Sequence, residues 1–230
     1  MDRLSAAEAV ANVQPFTPAL SEAELQHLAE LAVDARSSDL LAQVRGLAMR
    51  HGWSTEEVLF KCIGGVANYL GERWLVDGMS FSDVTFGSDT LQRAIAEIGY
   101  EAEGPLVHRE IIVLTAAPGE QHVLPIYALA ETLRSQGWET HVEAQMDSSD
   151  LLDLVASEPV AAVGVTCKSV DRLVGLEGLA AKLRKASPWP LQLLLGGCDA
   201  LRQYAPKLGF LYLSSGSDVN SYLASGKSTC

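Results

Sequence analysis

Residues 111–136, IIVLTAAPGEQHVLPIYALAETLRSQ, contain the transition that decides the fold prediction. The apolar run Ile111–Leu114 has charged residues before it and Pro118-Gly119 after it, which is typical of a short buried strand. A helical pattern over residues 122–136 follows at once. A buried strand that leads into a helix predicts one unit of an α/β protein with a parallel sheet.

Strands and helices continue to alternate after this unit. Further strands are predicted at residues 139–143, 160–166, 191–195 and 210–213, and further helices at residues 149–157, 171–186, 199–204 and 217–224. Five strands separated by helices predict a doubly wound, flavodoxin-like parallel sheet that helices cover on both faces. The sequence alone leaves the order of the strands open.

The first hundred residues follow a helical pattern instead. Ser21 with Glu24 and Ser54 with Glu57 have the spacing of a capping box, in which the two side chains satisfy free amides at a helix start. Helical patterns begin near residues 21, 39, 54 and 81 and are joined by short turns, which is typical of a bundle. We therefore predict a flexible lead-in over residues 1–20, a helical bundle over residues 21–104 and a flavodoxin-like domain over residues 105–230.

The chain has 230 residues and a formal net charge of −12. Phosphate groups repel an acidic surface, so direct non-specific binding to nucleic acid is not expected. No apolar run approaches the roughly 20 residues that cross a bilayer, and the first residues lack the pattern of a secretory signal. None of the four cysteines forms a CxxC pair. These features favour a cytoplasmic protein with reduced thiols.

Ligands of doubly wound sheets bind where the strands end, so the loops after the strands contain the candidate site residues. His122 lies in the loop after the first strand, and a neutral imidazole is a good ligand for a transition metal. Glu120 stands two residues earlier and is able to accept the proton of the other ring nitrogen, which would fix the tautomer. The alternative is a histidine near a helix start that binds nothing.

The other strand ends add small and polar residues. Thr166 and Ser169 offer hydroxyl groups after the third strand, although they are also suited to cap the next helix. Gly196 and Gly197 end the fourth strand and would let a ligand approach the backbone closely, unless they only form a tight turn. Ser214 begins the loop after the fifth strand. Together these loops indicate one ligand site at this edge of the sheet.

The spacing of these loops resembles the pattern of the cobalamin-binding fold, which reads Asp-x-His-x-x-Gly, then Ser-x-Leu, then Gly-Gly. The matching residues here are Glu120, Gln121, His122, Val123, Leu124 and Pro125, then Thr166, Cys167 and Lys168, then Gly196 and Gly197. Between these groups lie 40 residues (126–165) and 27 residues (169–195). The departures are Glu120, Pro125, Thr166 and Lys168, where the family has Asp, Gly, Ser and Leu.

This resemblance implies that His122 coordinates the cobalt of cobalamin from below, in place of the cofactor's own base. It also implies that the base and its nucleotide tail are buried in the core of the sheet. Pro125 stands where the family has a glycine, and the fit of that tail depends on this position.

The helical half resembles a related module. Residues 70–92, LGERWLVDGMSFSDVTFGSDTLQ, resemble the helices that cap the upper face of cobalamin, and most of all those of the AerR/PpaA group of photosynthesis-gene antirepressors and the C-terminal sensor region of AppA. The shared features are Trp74, Asp77, the stretch SFSDVT at residues 80–85 and the Gly-Glu-Gln-His loop at residues 119–122. The resemblance covers roughly residues 20–225. It implies that Trp74 lies near the cofactor, whereas the ordinary alternative is a core tryptophan.

Adenosylcobalamin photoreceptors of the CarH type look similar in the bundle but differ at the upper face. They place a histidine directly after the tryptophan and a Glu-His pair about ten residues later, where this chain has Leu75, Val84 and Thr85. We therefore expect a cobalamin with a small upper ligand, such as hydroxide, water or methyl, in preference to the adenosyl form.

The resemblance implies a light-linked transcriptional regulator, an antirepressor that binds a DNA-bound repressor of the PpsR/CrtJ class. No catalytic triad stands out, so we expect a photoreceptor or sensor and not an enzyme. Two alternatives stay open. The chain could be the corrinoid carrier subunit of a methyltransferase, or a heme sensor in which His122 binds iron.

Overall fold

A computed structural model describes residues 20–108, 110–144 and 148–225 of the chain. The predicted lead-in therefore lies outside the described residues except for Leu20, and so does Cys230. Leu20 is buried in the core of the helical bundle.

Within residues 20–108, five helical segments and one π-helical segment form the N-terminal bundle. They are α1 (Glu22–Val33), α2 (Ser37–His51), α3 (Thr55–Glu57), the π-helical segment (Val58–Ile63), α4 (Gly64–Leu75) and α5 (Phe81–Ala102). Both predicted capping boxes are confirmed, at Ser21 and at Ser54. The helix predicted from residue 54 is continuous to Leu75, but its second turn widens into the π-helical segment. Leucine, isoleucine and valine side chains from α1, α2, the π-helical segment, α4 and α5 form one apolar core.

The strands form one parallel sheet in the order β2-β1-β3-β4-β5, as the flavodoxin-like prediction requires. The strands are β1 (Ile111–Ala116), β2 (Glu139–Glu143), β3 (Val160–Cys167), β4 (Gln192–Gly197) and β5 (Leu211–Tyr212). The central strands are buried on both faces, which explains why they read as continuous apolar runs. The predicted α/β fold class is confirmed.

Helices cover both faces of the sheet. They are α6 (Leu124–Ser135), α7 (Ser148–Ser157), α8 (Leu179–Ala186), α9 (Ala205–Leu208) and α10 (Gly216–Ala224). Apolar residues of α6 and α10 pack on one face, and those of α7 and α8 pack on the other. None of the described helices is both long enough and apolar enough to span a bilayer.

Two of the predicted helices are wrong in detail. Residues 171–186 do not form one helix, because a 3-10 segment (Val170–Leu176) precedes α8 and Gly178 adopts a left-handed conformation between them. The short helix predicted at residues 199–204 is a 3-10 turn (Asp199–Leu201), and α9 follows it.

Helix α6 belongs to both cores of the molecule. Ala128 is buried in the core of the bundle, whereas Ile126, Ala130 and Leu133 are buried against the sheet. The predicted division into two domains near residue 104 therefore stays a prediction, because α6 of the second part packs into the core of the first.

Candidate functional site

The loop between β1 and α6 is organised around the carboxylate of Glu120, whose side chain is only 2% exposed. One oxygen of this carboxylate, Oε1, accepts hydrogen bonds from the backbone amides of Gln121 (2.9 Å) and His122 (3.0 Å). The same oxygen lies 2.7 Å from Nδ1 of the His122 ring. The predicted contact between Glu120 and His122 is therefore confirmed.

The second oxygen of Glu120 connects this loop to the end of β3. Oε2 accepts a hydrogen bond from the backbone amide of Lys168 at 2.9 Å. Burial raises the pKa of Glu120, but the hydrogen bonds that it accepts outweigh burial and lower this pKa to about 2. Glu120 is therefore a charged acceptor at neutral pH.

This arrangement fixes the tautomer of His122. A carboxylate can only accept a hydrogen bond, so in the neutral ring the proton is on Nδ1 and the lone pair is on Nε2. The side chain of His122 is 58% exposed, so Nε2 faces the surface at the carboxyl edge of the sheet. Metal-binding histidines are commonly oriented in this way, by a carboxylate that accepts the proton of the ring nitrogen facing away from the metal.

A lysine side chain contacts the outer nitrogen of the same ring. Nζ of Lys168 lies 3.0 Å from Nε2 of His122. An ammonium group can only donate, so Nε2 is the acceptor, in agreement with the tautomer that Glu120 imposes. Lys168 was a predicted site residue, but this contact was not predicted.

Sequence reasoning also missed Arg172. Its Nη1 donates to the carbonyl of Gly119, and its Nε lies 3.8 Å from Oε2 of Glu120. Arg172 therefore holds the loop before His122 from the neighbouring 3-10 segment. The available signal was its place six residues after Thr166, just beyond the third loop that the fold predicts to face the site.

The face of the sheet under α6 and α10 has small residues toward its carboxyl edge. They are Ala116, Gly164, Thr166 and Gly196, which alternate with side chains of the opposite face. Oγ1 of Thr166 is buried and has no hydrogen-bond partner in the described part of the chain. A Cβ at Gly196 would have no neighbour closer than the carbonyl of Leu213 at 3.8 Å. An unsatisfied hydroxyl on the same face as a glycine whose Cβ would make only one ordinary contact fits a polar ligand group that lies along this face.

Gly197 has a different reason to be glycine. Its φ is +139°, and a Cβ there would overlap the carbonyl oxygen of Cys167 on the neighbouring strand. The close approach that Gly197 permits in the structure is between two strands, and the predicted close approach of a ligand stays a prediction.

The remaining predicted loop residues surround the site with weaker contacts. Ser169 precedes the 3-10 segment but its side chain caps no amide of that segment, so the capping alternative is wrong. Oγ of Ser214 donates to Oδ2 of Asp218 at 3.0 Å. Gln121 is exposed, and Val123 is half-buried against the sheet.

Trp74 lies at the end of α4 and is not a core residue, since 49% of it is exposed. Other large apolar side chains near the end of α4 and the start of α5 are exposed as well. We call this surface the apolar patch; it consists of Trp74, Leu75, Val76, Phe81 and Phe86. Val84, on the second turn of α5, is half-buried. Five exposed large apolar side chains within thirteen residues of sequence make this surface a candidate for contact with another molecule.

The bundle contacts the sheet domain at two places, at α6 and at the start of α10. Leu124 and Tyr127, which follow His122 on α6, pack against the bundle core. Oε1 of Glu56 on α3 accepts a hydrogen bond from the amide of Ser217 at the start of α10 (3.1 Å), and Oε2 contacts the hydroxyl of Ser217. The bundle is thus anchored to the helices that follow the first and the fifth strands.

Comparisons with known proteins give one relative by sequence and a clear likeness by fold. No family model matches the chain. An uncharacterized 20.5 kDa protein of the bchF–crtJ intergenic region of Rhodobacter capsulatus is 26% identical over 145 residues, which cover 62% of this chain and 76% of that protein. The monomethylamine corrinoid protein of Methanosarcina barkeri has a similar structure, with a TM-score of 0.68 and 12% identity over 89% of this chain and 100% of that one. A cobalamin-binding protein of Desulfitobacterium hafniense gives a TM-score of 0.47 and 16% identity over 87% of this chain and 97% of that one.

The likeness to the methylamine corrinoid protein covers the bundle as well as the sheet. At 12% identity this likeness shows the fold alone. The identity of a ligand has to be argued from the residues of the site. The shared fold is a helical bundle that precedes a flavodoxin-like sheet.

Proposed function

We propose that the chain binds cobalamin, with Nε2 of His122 as the axial ligand below the cobalt. The observation that carries this proposal is the contact between the buried Glu120 carboxylate and Nδ1 of His122 at 2.7 Å. It leaves a single lone pair at the exposed edge of the sheet, and neutral imidazole nitrogen suits cobalt. The fold supports the same cofactor class, because its likeness by structure is to a corrinoid protein.

Other residues fit the remaining parts of the cofactor. Thr166 and Gly196 would contact the nucleotide tail, since their face of the sheet has an unsatisfied hydroxyl and a glycine without a side chain of its own. The apolar patch would cover the upper face of the corrin, with Trp74 as its largest planar side chain. Bound cobalamin would supply absorption of visible light and an exchangeable upper ligand.

The chain itself decides which upper ligand fits. Leu75 and Val84 have no polar group, so they can neither hydrogen-bond an adenosyl group nor replace it on cobalt. We therefore propose that hydroxocobalamin, aquocobalamin or methylcobalamin binds in preference to adenosylcobalamin.

We further propose that the loaded protein is a light-linked antirepressor that acts on a DNA-bound repressor of the PpsR/CrtJ class, and that it is not an enzyme. The relative from the bchF–crtJ intergenic region supports this role, because the gene name crtJ is also that of the proposed repressor class. The net charge of −12 suits a protein partner better than the DNA itself.

The second candidate function is a corrinoid carrier subunit of a methyltransferase. It is favoured by the likeness to the monomethylamine corrinoid protein. A carrier and a sensor would share His122, so the partner separates them. Capture of the repressor by the cobalamin-loaded chain supports the sensor, whereas transfer of a methyl group between the bound corrinoid and a methyltransferase supports the carrier.

The test of the cofactor is an absorbance titration of the purified chain with hydroxocobalamin, adenosylcobalamin and hemin in the dark. We expect corrinoid binding, and we expect His122→Ala to weaken it about 100-fold. His141→Ala is the matched control, because His141 also contacts a glutamate two residues earlier (Nε2 to Oε1 of Glu139, 3.3 Å) but lies on the edge strand β2. If the chain binds hemin with a Soret band and binds neither cobalamin, the cofactor is heme. If His122→Ala and the unchanged chain bind hydroxocobalamin with equal affinity, His122 is not the axial ligand.

A further inference from the structure

The outer nitrogen of His122 already has a partner in the structure. Nζ of Lys168 lies 3.0 Å from Nε2 of His122, while Nδ1 faces Glu120. A neutral imidazole has one lone pair in the plane of the ring. That lone pair can accept a hydrogen bond from an ammonium group or bind a metal, but it cannot do both at once.

Lys168 reaches this position because its backbone is fixed to the same carboxylate that orients the ring. The amide of Lys168 donates to Oε2 of Glu120 at 2.9 Å, at the point where β3 ends. Glu120 therefore places both the imidazole and the residue whose side chain covers it. The Lys168 side chain is exposed, so its ammonium can turn into water without leaving a buried charge behind.

We propose that Lys168 occupies the cofactor-binding lone pair of His122 in the cofactor-free protein and must be displaced when cobalamin binds. This inference rests on the proposed function. The protein then has two states, one in which Lys168 is on Nε2 and one in which it has turned away. Only the second state can bind the metal, so the affinity is reduced by the fraction of molecules in that state.

The role is specific to this chain's departure from the cobalamin-binding pattern, since a leucine at this position could not donate to the ring. Lys168 thus sets the concentration of cofactor at which the protein is loaded. It also keeps the ring in its binding orientation while the cofactor is absent.

The binding experiment compares Lys168→Met with the unchanged chain by stopped-flow absorbance with hydroxocobalamin. Methionine keeps the length of the side chain but has no donor, so we expect faster association and an affinity about three- to tenfold higher. Lys168→Arg keeps a charged donor and should stay within about twofold of the unchanged chain. Lys182→Met removes an exposed lysine of α8 and is the control for charge alone.

A second experiment needs no cofactor. Nitrogen NMR of the His122 ring in the cofactor-free protein should show a protonated Nδ1 and an Nε2 that accepts a hydrogen bond. Lys168→Met should move the Nε2 resonance toward that of a free lone pair and leave Nδ1 in place. Circular dichroism checks that the variants are folded.

The outcomes distinguish this inference from the proposed function. An unchanged Nε2 resonance in Lys168→Met would show that the contact does not form. A moved resonance with unchanged or weaker hydroxocobalamin binding would overturn the competition, while the role of His122 as the axial ligand would stand. If the unchanged chain fails to bind hydroxocobalamin at all, both the proposed function and the displacement of Lys168 are wrong.

Discussion

The loop around His122 and the apolar patch of the bundle are built on opposite principles. In the loop a charged carboxylate is buried and accepts hydrogen bonds from three backbone amides, so the ring has a defined direction before any ligand binds. In the patch, large apolar side chains such as Trp74 and Phe81 are exposed. In the proposed site, the loop would supply a fixed geometry and the patch would supply apolar area. Directional polar contacts need to be prearranged, whereas apolar burial only needs surface to be covered.

The largest effect is expected at Gly197, at the end of β4, where the backbone conformation and the neighbouring strand leave no room for a side chain. Gly197→Ala would place a Cβ on the carbonyl oxygen of Cys167 at a φ of +139°. We expect the free energy of unfolding to fall by about 3 kcal/mol, because strain and overlap act together. Urea unfolding measures this change. A loss below about 1 kcal/mol would mean that the end of β4 adapts easily and that this side of the site is not rigid.

The next effect tests the buried carboxylate directly. Glu120→Gln replaces one acceptor oxygen by an NH₂ group, which would face backbone amides that also donate. We expect a loss of about 2 kcal/mol in unfolding free energy and a hydroxocobalamin affinity about 10- to 100-fold lower. Glu143→Gln, at the exposed end of β2, is the control and should change neither quantity. If Glu120→Gln changes stability and affinity no more than Glu143→Gln does, the buried carboxylate does not prearrange the loop, and the contrast with the patch is wrong.

A third variant examines the patch. Trp74→Ala removes a half-exposed side chain, so the unfolding free energy should change by less than about 0.5 kcal/mol. Hydroxocobalamin affinity should nevertheless fall about tenfold, because the indole would lie over the macrocycle. Trp189, which is 40% exposed near the amino end of β4, provides the matched control. Titration of both variants decides whether the patch belongs to the site, and equal affinities would exclude it.

The smallest effect is expected at a glycine of α4, close to the patch, where the backbone does not need a glycine. Gly71 is in α4, one turn before Trp74, and a Cβ there would meet nothing within 4 Å in the described part of the chain. Gly71→Ala should therefore raise the unfolding free energy by about 1 kcal/mol, through helix propensity alone. Thermal melting would show a higher midpoint. A destabilised Gly71→Ala variant would reveal a backbone constraint in α4 comparable to that at Gly197.

Local patterns explain what could be predicted from the sequence. The capping boxes at Ser21 and Ser54 involve residues three apart, so no knowledge of the fold is needed to recognise them. The pair Glu120 and His122 is equally local. The sheet could be predicted because buried parallel strands are marked by apolar runs and the chain alternates them with helices.

Contacts between distant residues explain what was missed. Lys168 is 46 residues from His122, and Arg172 is 53 residues from Gly119. These pairs meet only because β1 and β3 are neighbours, and the sequence left the strand order open. The break at Gly178 was missed for a different reason, since a glycine inside a helical pattern is tolerated and does not by itself mark a helix end.

Helix α6 carries one further consequence. It packs on two sides, against the bundle through Ala128 and against the sheet through Ile126 and Leu133. If one core unfolds, the other loses the α6 residues that pack in it. We therefore expect the chain to unfold in a single cooperative transition, with the same midpoint for probes placed in either half. A fragment that stopped at residue 104 would leave the side of α5 that normally meets α6 bare, and it should aggregate.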